Sequence, residues 1–532
     1  MTVLPRLWDG DRSPDALLIP LLGIGQAFAL GVGAFATRDA FEALHSGTGV
    51  PDRALLTLIA AGMVAAALDL IGRRRSEALG QSYACSLRLA LYGHLAGMDR
   101  RAVSGRRLGA LSLRFVGDLS AARNWFGRGL TRLVSAAVVL PGAGVVLYLL
   151  DPVLAATAAV PVVLSLAVMA ALAVGLGARH RALRSRRANI SIAMMERVAI
   201  SPHLDLLERT THELSALDEN GAALRQNAVA RVTRLGLVRL LPQAGAAVAG
   251  AGMLWVSGIA GIAPGSTAAG LAVLGILMIP LRDCGDVWDQ FCAWRVAREK
   301  AAGLFAIPSH RREIVLRGRP VEVVVAGVVV GMRVVDMTVP AGALALLIGP
   351  QGSGKSELGH LIAGLDRTSE GTVCYDGKTA PLPRIAHIGD GSPVVQGSLR
   401  RGLTMGITPR PARRRIEEVS KVFGLGPLLT RLDGIRGRIG EAARTVSSAE
   451  ALRIDLTRAA LAAPDLIVID SSRLLVDPDR ETLLVDLRRL TDCTMLVIGA
   501  SFPGVAFDAT VDLAVFPTLV PVSGQHGKQC GA

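Results

Sequence analysis

Ala343-Leu-Ala-Leu-Leu-Ile348 runs directly into Gly349-Pro-Gln-Gly-Ser-Gly354-Lys355-Ser356, and this stretch decides how the second half of the chain folds. The apolar run reads as a buried strand, and a helix follows Ser356. The spacing between them is G-x-x-x-x-G-K-[ST]. In that pattern glycines let backbone N–H groups turn inward around phosphate oxygens. The lysine reaches the outer phosphates, and the hydroxyl at the helix start ligates Mg²⁺. Gly349, Gln351, Gly352, Ser353, Gly354, Lys355 and Ser356 are therefore candidate ATP-binding residues, and Ser356 is also a candidate metal ligand. A second apolar strand, Leu466-Ile-Val-Ile469, ends in Asp470, a carboxylate placed to orient the same Mg²⁺. From Val321 onward short β-branched runs alternate with helical stretches, which is the pattern of an α/β domain.

Upstream of that domain the composition changes. The whole chain has 532 residues, 51% hydrophobic and only 19% charged, and the apolar part lies mainly in the first 300. Ala16 to Thr37 is 22 residues without a charge, enough to cross a bilayer. Ala54 to Gly72, Leu133 to Leu150 and Pro152 to Ala178 are three further candidates. Leu240 to Leu281 is 42 uncharged residues, too long for one crossing, and its middle, Gly261-Ile-Ala-Pro-Gly-Ser-Thr267, is turn-like. It therefore reads as two spans, about 240–260 and 265–281, for six in all. Disorder and a small disulfide scaffold are excluded.

The net charge of +14 comes from 58 Lys and Arg against 44 Asp and Glu. Arg73 to Arg132 holds twelve arginines against three acids, and Arg179 to Arg239 is basic at both ends. The alternate loops are short and poor in bases. By the positive-inside rule both long loops and both termini lie in the cytoplasm, with the chain multi-pass in the cytoplasmic membrane. The basic excess sits beside lipid headgroups, so it argues for a bilayer partner and against nucleic acid. The same spans disfavour a soluble P-loop kinase or nucleic-acid ATPase. Both long loops look helical, with interruptions near Met98-Asp-Arg-Arg101 and near Ser201-Pro202-His203. The first span is read as retained, although Ala34-Phe35-Ala36 resembles a cleavage site. Asp69 and Asp283 end spans and are read as wetted stalk residues. Cys85, Cys284, Cys292, Cys374, Cys493 and Cys530 form no CxxC pair and read as isolated thiols.

Six spans with two long cytoplasmic loops, followed by this nucleotide domain, resemble an ABC-transporter half-subunit of the exporter type. Leu87 to Leu95 and Gly109 to Asp118 resemble the family's first intracellular loop, and Gly440-Glu441 its loop ahead of the signature. Arg453, Arg458-Ala459 and Pro464 fall where the signature helix carries Arg, Arg-Ala and Pro, and Asp477 matches the D-loop aspartate. The implied fold is a membrane all-α six-helix exporter domain over residues 1–303, a linker over 304–320, and a cytoplasmic α/β P-loop nucleotide-binding domain over 321–532. ATP and Mg²⁺ are the implied cofactors.

Against that family pattern the catalytic set is incomplete. Ser471 stands where the family has the glutamate that polarises water, and Ala500 where it has the switch histidine. Loss of a general base typically removes about 10²–10⁴ of rate. The signature Leu-Ser-Gly-Gly-Gln is replaced by Val446-Ser447-Ser448-Ala449-Glu450, so both glycines are gone and a charge points towards the triphosphate. Asp390 aligns with the Q-loop glutamine, and no aromatic residue lies between Val321 and Gly342 to stack adenine. No catalytic residue is therefore assigned. The resemblance implies a catalytically degenerate, ATP-binding member of a heterodimeric exporter, paired with a more complete half-subunit and carrying a substrate that the apolar spans do not specify. The alternative is a non-transporting regulatory or assembly protein with an ATP-sensing domain.

Overall fold

The computed structural model describes residues 4–10, 12–106, 111–112, 114–173, 176–392, 396–440, 445–499 and 502–516. The chain divides into two compact units, Met1–Met98 with Ala102–Ser309, and Asp99–Arg101 with His310–Ala532.

Among the described residues the regular structure of the first unit is all helical. Its long helices are α1 (Arg12–His45), α2 (Asp52–Ala96), α3 (Arg114–Leu150), α4 (Pro152–Ala173), α5 (Leu176–Leu206), α6 (Thr210–Ala260) and α7 (Pro264–Phe305). Six of them, all but α5, are long and apolar enough to cross a membrane. The 51 residues of α6 rise about 75 Å, well over twice a hydrocarbon core of about 30 Å. The helices therefore run far past any bilayer. The hairpin between α6 and α7 turns on Gly261 at φ 64°, with Pro264 opening α7 at a position that needs no N–H donor. The second loop breaks later than its sequence suggests: α5 continues through Pro202 to Leu206, and the turn falls at Leu207–Arg209 with Glu208 at φ 56°. One proline costs a helix a single N–H bond, and Thr210, donating to the Asp205 carboxylate at 2.8 Å, ties the later turn.

Leu147, Leu154, Ala249, Met253, Leu277 and Leu281 form the core where α3, α4, α6 and α7 meet. A second cluster gathers Tyr83, Leu87, Leu91, Trp294 and Leu304, with Tyr83 edge-on to Trp294 at 5.7 Å. Leu56, Ile59 and Met63 of α2, Val160, Val163 and Leu164 of α4, and Trp255 and Ile259 of α6 face outward. Such a surface belongs in lipid. Two π-turns, Arg114–Asp118 and Trp125–Gly129, interrupt α3. The second brings Gly127 against Gly80 of α2, where a Cβ on Gly80 would lie 2.8 Å from the Gly127 Cα. Only glycine permits that backbone approach.

The second unit holds β1 (Val323–Val330), β2 (Arg333–Val339), β3 (Leu344–Ile348), β4 (Thr372–Tyr375), β5 (Ile385–Gly389), β6 (Leu466–Asp470), β7 (Thr494–Ile498) and β8 (Ala509–Asp512). A five-stranded parallel sheet has the order β8-β3-β7-β6-β5, and an antiparallel sheet the order β2-β1-β4. Helix α8 (Lys355–Ile362) packs on one face of the parallel sheet through Leu358 and Ile362, against Leu347, Val468 and Leu496. Helices α9 (Ser448–Ala462) and α10 (Arg480–Leu490) cover the other face through Leu452, Leu456, Leu484 and Leu487, against Ile467, Ile469 and Val497. Alternate side chains along each strand serve opposite faces, so both sides are buried and the strands read as unbroken apolar runs.

Residues 310–320, read as linker, pack within this unit. Arg312 donates to the Leu365 carbonyl at 2.9 Å, and Arg317 pairs with Asp376 at 2.8 Å.

Candidate nucleotide site

The phosphate loop sits where β3 gives way to α8. Gly349, Gly352 and Gly354 hold φ of 147°, 78° and 92°, backbone that side chains rarely adopt. A Cβ on Gly354 would collide with the Val330 side chain, and one on Gly349 would lie 3.1 Å from the Leu513 Cβ. The cradle thus exists only with glycines. The Lys355 ammonium donates to the Gly349 and Pro350 carbonyls at 2.8 and 2.7 Å, bracing both sides of the loop. The Ser353 hydroxyl is buried without a hydrogen-bond partner among the described residues. A buried orphan donor inside a glycine cradle fits a phosphate ligand.

Ser356, in the first turn of α8, and Asp470, the last residue of β6, supply one hydroxyl and one carboxylate. Among the described residues no cluster of three or more metal-ligating side chains occurs. One hydroxyl and one carboxylate suit Mg²⁺, which binds through one or two carboxylates plus substrate phosphates and water rather than an all-protein cage. Bound there, Mg²⁺ would neutralise charge on the outer phosphates.

Beyond Asp470 the strand register does something the linear sequence hides. Asp470 of β6 pairs with Gly389 of the parallel strand β5, so the next residues, Ser471 and Asp390, stand abreast although 81 positions apart. The Ser471 hydroxyl donates to Asp390 Oδ1 at 3.0 Å, and the Ser472 amide to Asp390 Oδ2 at 3.1 Å. Burial pushes the Asp390 carboxyl up, but the hydrogen bonds from Ser472 and Ser471 outweigh it and hold it below the usual carboxylate range. Behind it Arg473 lies 3.6 Å from Asp390, donates to the Gly389 carbonyl at 2.6 Å, and bonds the buried Asp455 at 3.2 Å. Asp455 is also held by Arg458 at 2.6 Å. This chain of charges locks the end of β5 to α9.

The segment Val446–Glu450 opens α9 through a capping box. Ser447 Oγ accepts from the Glu450 amide at 3.2 Å, and the Glu450 carboxylate accepts from the Ser447 amide at 2.8 Å and from Arg431 at 2.9 Å. The sequence suggested that Glu450 aims its charge at a triphosphate; the structure spends that charge on the helix cap and Arg431. Burial raises the Glu450 carboxyl, yet the bonds from Ser447 and Arg431 leave it below its ordinary value. Ser448 and Ala449 occupy the first turn of α9. Asp477 is buried, 3.6 Å from Arg453. Ala500, Glu441, Gly109 and Cys530 lie outside the described residues.

Sequence reading missed two histidines packed beneath the site. His360 of α8 and His387 of β5 have ring centroids 5.3 Å apart. Burial, reinforced by His360, pushes His387 down from 6.5 to about 4, despite Asp470 nearby. Burial and Arg100 lower His360 as well. Lone histidines at unrelated spacings carry no motif, so only the fold could join them.

The membrane unit holds a cavity of about 580 Å³ among α1, α2, α3 and α7. Asp69 and Asp283 line it, neither isolated: Asp69 pairs with Arg73 at 2.8 Å and Asp283 with Arg132 at 3.5 Å.

Residues 332–472 match the family model described as ABC transporter. The chain is 36% identical over 154 residues to the zinc import ATP-binding protein ZnuC of Paramagnetospirillum magneticum, a match covering 29% of this chain and 54% of that protein. It is 26% identical over 257 residues to a multidrug efflux ATP-binding/permease protein of Mycobacterium bovis, covering 43% of this chain and 21% of that one. The chain thus spans about half the length of the first relative and about a fifth of the second. An ABC transporter ATP-binding protein of Bacillus subtilis, YknV, is 21% identical over 78% of this chain and 72% of its own. Among solved structures, that of a bacterial Atm1-family ABC exporter with ATP bound superposes with a TM-score of 0.78 at 18% identity, covering 94% of this chain and 93% of that one.

Proposed function

Because the chain belongs to the ABC transporters and has the fold of an exporter half, six membrane helices followed by an α/β nucleotide domain, we propose that it is an ATP-binding half-subunit that moves a substrate out across the cytoplasmic membrane, with both termini cytoplasmic. The carrying observation is the intact glycine cradle around Lys355, set in a chain that also provides six spans. ATP with Mg²⁺ is the ligand of that cradle, through Ser356 and Asp470. The replacements at Ser471 and in Val446–Glu450 support slow turnover by this chain and pairing with a more complete half-subunit. A shared ligand stabilises a closed dimer whether or not it is rapidly split.

The test is affinity purification of the full chain from its native membrane, with the co-purifying half-subunit identified and ATP turnover measured with and without it. A partner carrying complete motifs, and turnover that rises with it, is the expected result. Turnover at ordinary transporter rates by the chain alone removes the degenerate role. MgATP binding without any vesicle transport, by the chain alone or with its partner, favours an ATP-sensing assembly protein.

A further inference from the structure

The family's water-polarising glutamate is missing from position 471, but a carboxylate is not missing from that place in space. A glutamate at 471 would carry its carboxylate beyond the γ atom that Ser471 Oγ replaces. What lies beyond Ser471 Oγ is the Asp390 carboxylate, at 3.0 Å. We infer that Asp390 is the catalytic carboxylate of this site, supplied from the end of β5 in place of the residue after Asp470. This rests on the reading that the chain binds MgATP in its phosphate loop.

Three observations carry the assignment. The parallel register of β5 and β6 ends at Gly389 and Asp470, which places the next residues, Asp390 and Ser471, side by side. The Ser471 hydroxyl and the Ser472 amide hold the two carboxylate oxygens, while Arg473, 3.6 Å from Asp390 and tied to Gly389 and Asp455, braces the same end of the strand. The Asp390 side chain nevertheless keeps 52% of its surface open, in contrast to Ser471, which is 3% exposed. The carboxylate is thus oriented on one edge and available on the other. A serine at 471 then has a purpose that no basicity explains: it is the donor that aims the aspartate.

In the hydrolytic step Asp390 takes a proton from the attacking water. The water oxygen's electron pair forms the new bond to the γ-phosphorus, and the bond from that phosphorus to the bridging oxygen breaks towards ADP. The proton on Asp390 then passes to the phosphate product, restoring the carboxylate.

The experiment uses the full chain in lipid nanodiscs with Asp390→Asn, Asp390→Gln and the exchange Asp390→Gln with Ser471→Glu. It reads affinity for a fluorescent ATP analogue with Mg²⁺, the identity of nucleotide retained after rapid gel filtration, and phosphate release. Expected are slow phosphate release by the wild type and a loss of about 100-fold in Asp390→Asn. That variant should keep nucleotide affinity within about threefold and retain uncut ATP, and the exchange should recover at least about tenfold over Asp390→Gln. Hydrolysis at the wild-type rate in Asp390→Asn overturns the assignment, as does wild-type chain that holds MgATP uncut. Loss of affinity and melting temperature together in Asp390→Asn, without recovery in the exchange, overturns it in favour of a structural role. Failure of the wild type to bind the analogue overturns the ATP-binding reading itself, so the two failures are distinct.

Discussion

The two ends of the nucleotide domain have been treated differently. At the phosphate loop every feature that shapes a phosphate cradle is present, down to glycines whose φ no other residue holds comfortably. At the start of α9 Ser448 and Ala449 occupy the first helical turn, and Ser447 with Glu450 forms a capping box. One end is built around a ligand's oxygens, the other around its own backbone N–H groups. The lesson is that the same chemical demand, donors that must be satisfied, can be met by nucleotide or by protein.

The largest effect expected from that contrast is at Gly354. Its φ of 92° and the Val330 side chain against it leave no room for a larger residue. Gly354→Val should destabilise the second unit by about 4 kcal/mol, combining backbone strain with overpacking. Hydrogen exchange of the β3 amides in the full chain reads it, and unchanged protection breaks the claim that the loop demands glycine. Next is Lys355→Ala, which should leave protection of β3 largely intact but weaken MgATP binding about 100-fold, or about 2.7 kcal/mol. Equal affinity in a nucleotide titration would mean the cradle holds phosphate without its cation.

The histidine pair gives a pH dependence of intermediate size. His387 is depressed in the fold to about 4 from 6.5, so below pH 6.5 the unfolded chain takes up its proton before the folded chain does. Stability is therefore fully present above pH 6.5 and lost as pH falls towards 4, by about 2–3 kcal/mol. His387→Gln should flatten β3 exchange protection between pH 7 and 5; a parallel loss in the variant would locate the acid sensitivity elsewhere. The smallest effect belongs to the cap. Ser447→Ala should cost about 1 kcal/mol in α9, seen as faster exchange of its first turn, with this chain's own MgATP affinity unchanged. A larger loss of affinity than of helix protection would return Ser447 to a ligand role.

Much of the architecture was legible beforehand because it rests on local patterns. Uncharged runs longer than a bilayer, a glycine-proline turn at Gly261–Pro264, and β-branched runs flanking a fixed glycine spacing each report their own structure from neighbouring residues. The helix break after Leu206 was placed too early because Pro202 is the loudest local signal, whereas a side-chain bond from Thr210 to Asp205 sets the turn.

At the site the division is sharper. The sequence alone determined the membrane spans, the phosphate loop and the absence of a glutamate after Asp470, since each is written in consecutive residues. Only the tertiary structure decided what stands beside Ser471, because strand register brings Asp390 to it across 81 positions. It likewise decided where the Glu450 charge goes, through Arg431 19 residues away. Hydrogen bonds form between neighbours in space, and a linear motif records only neighbours along the chain.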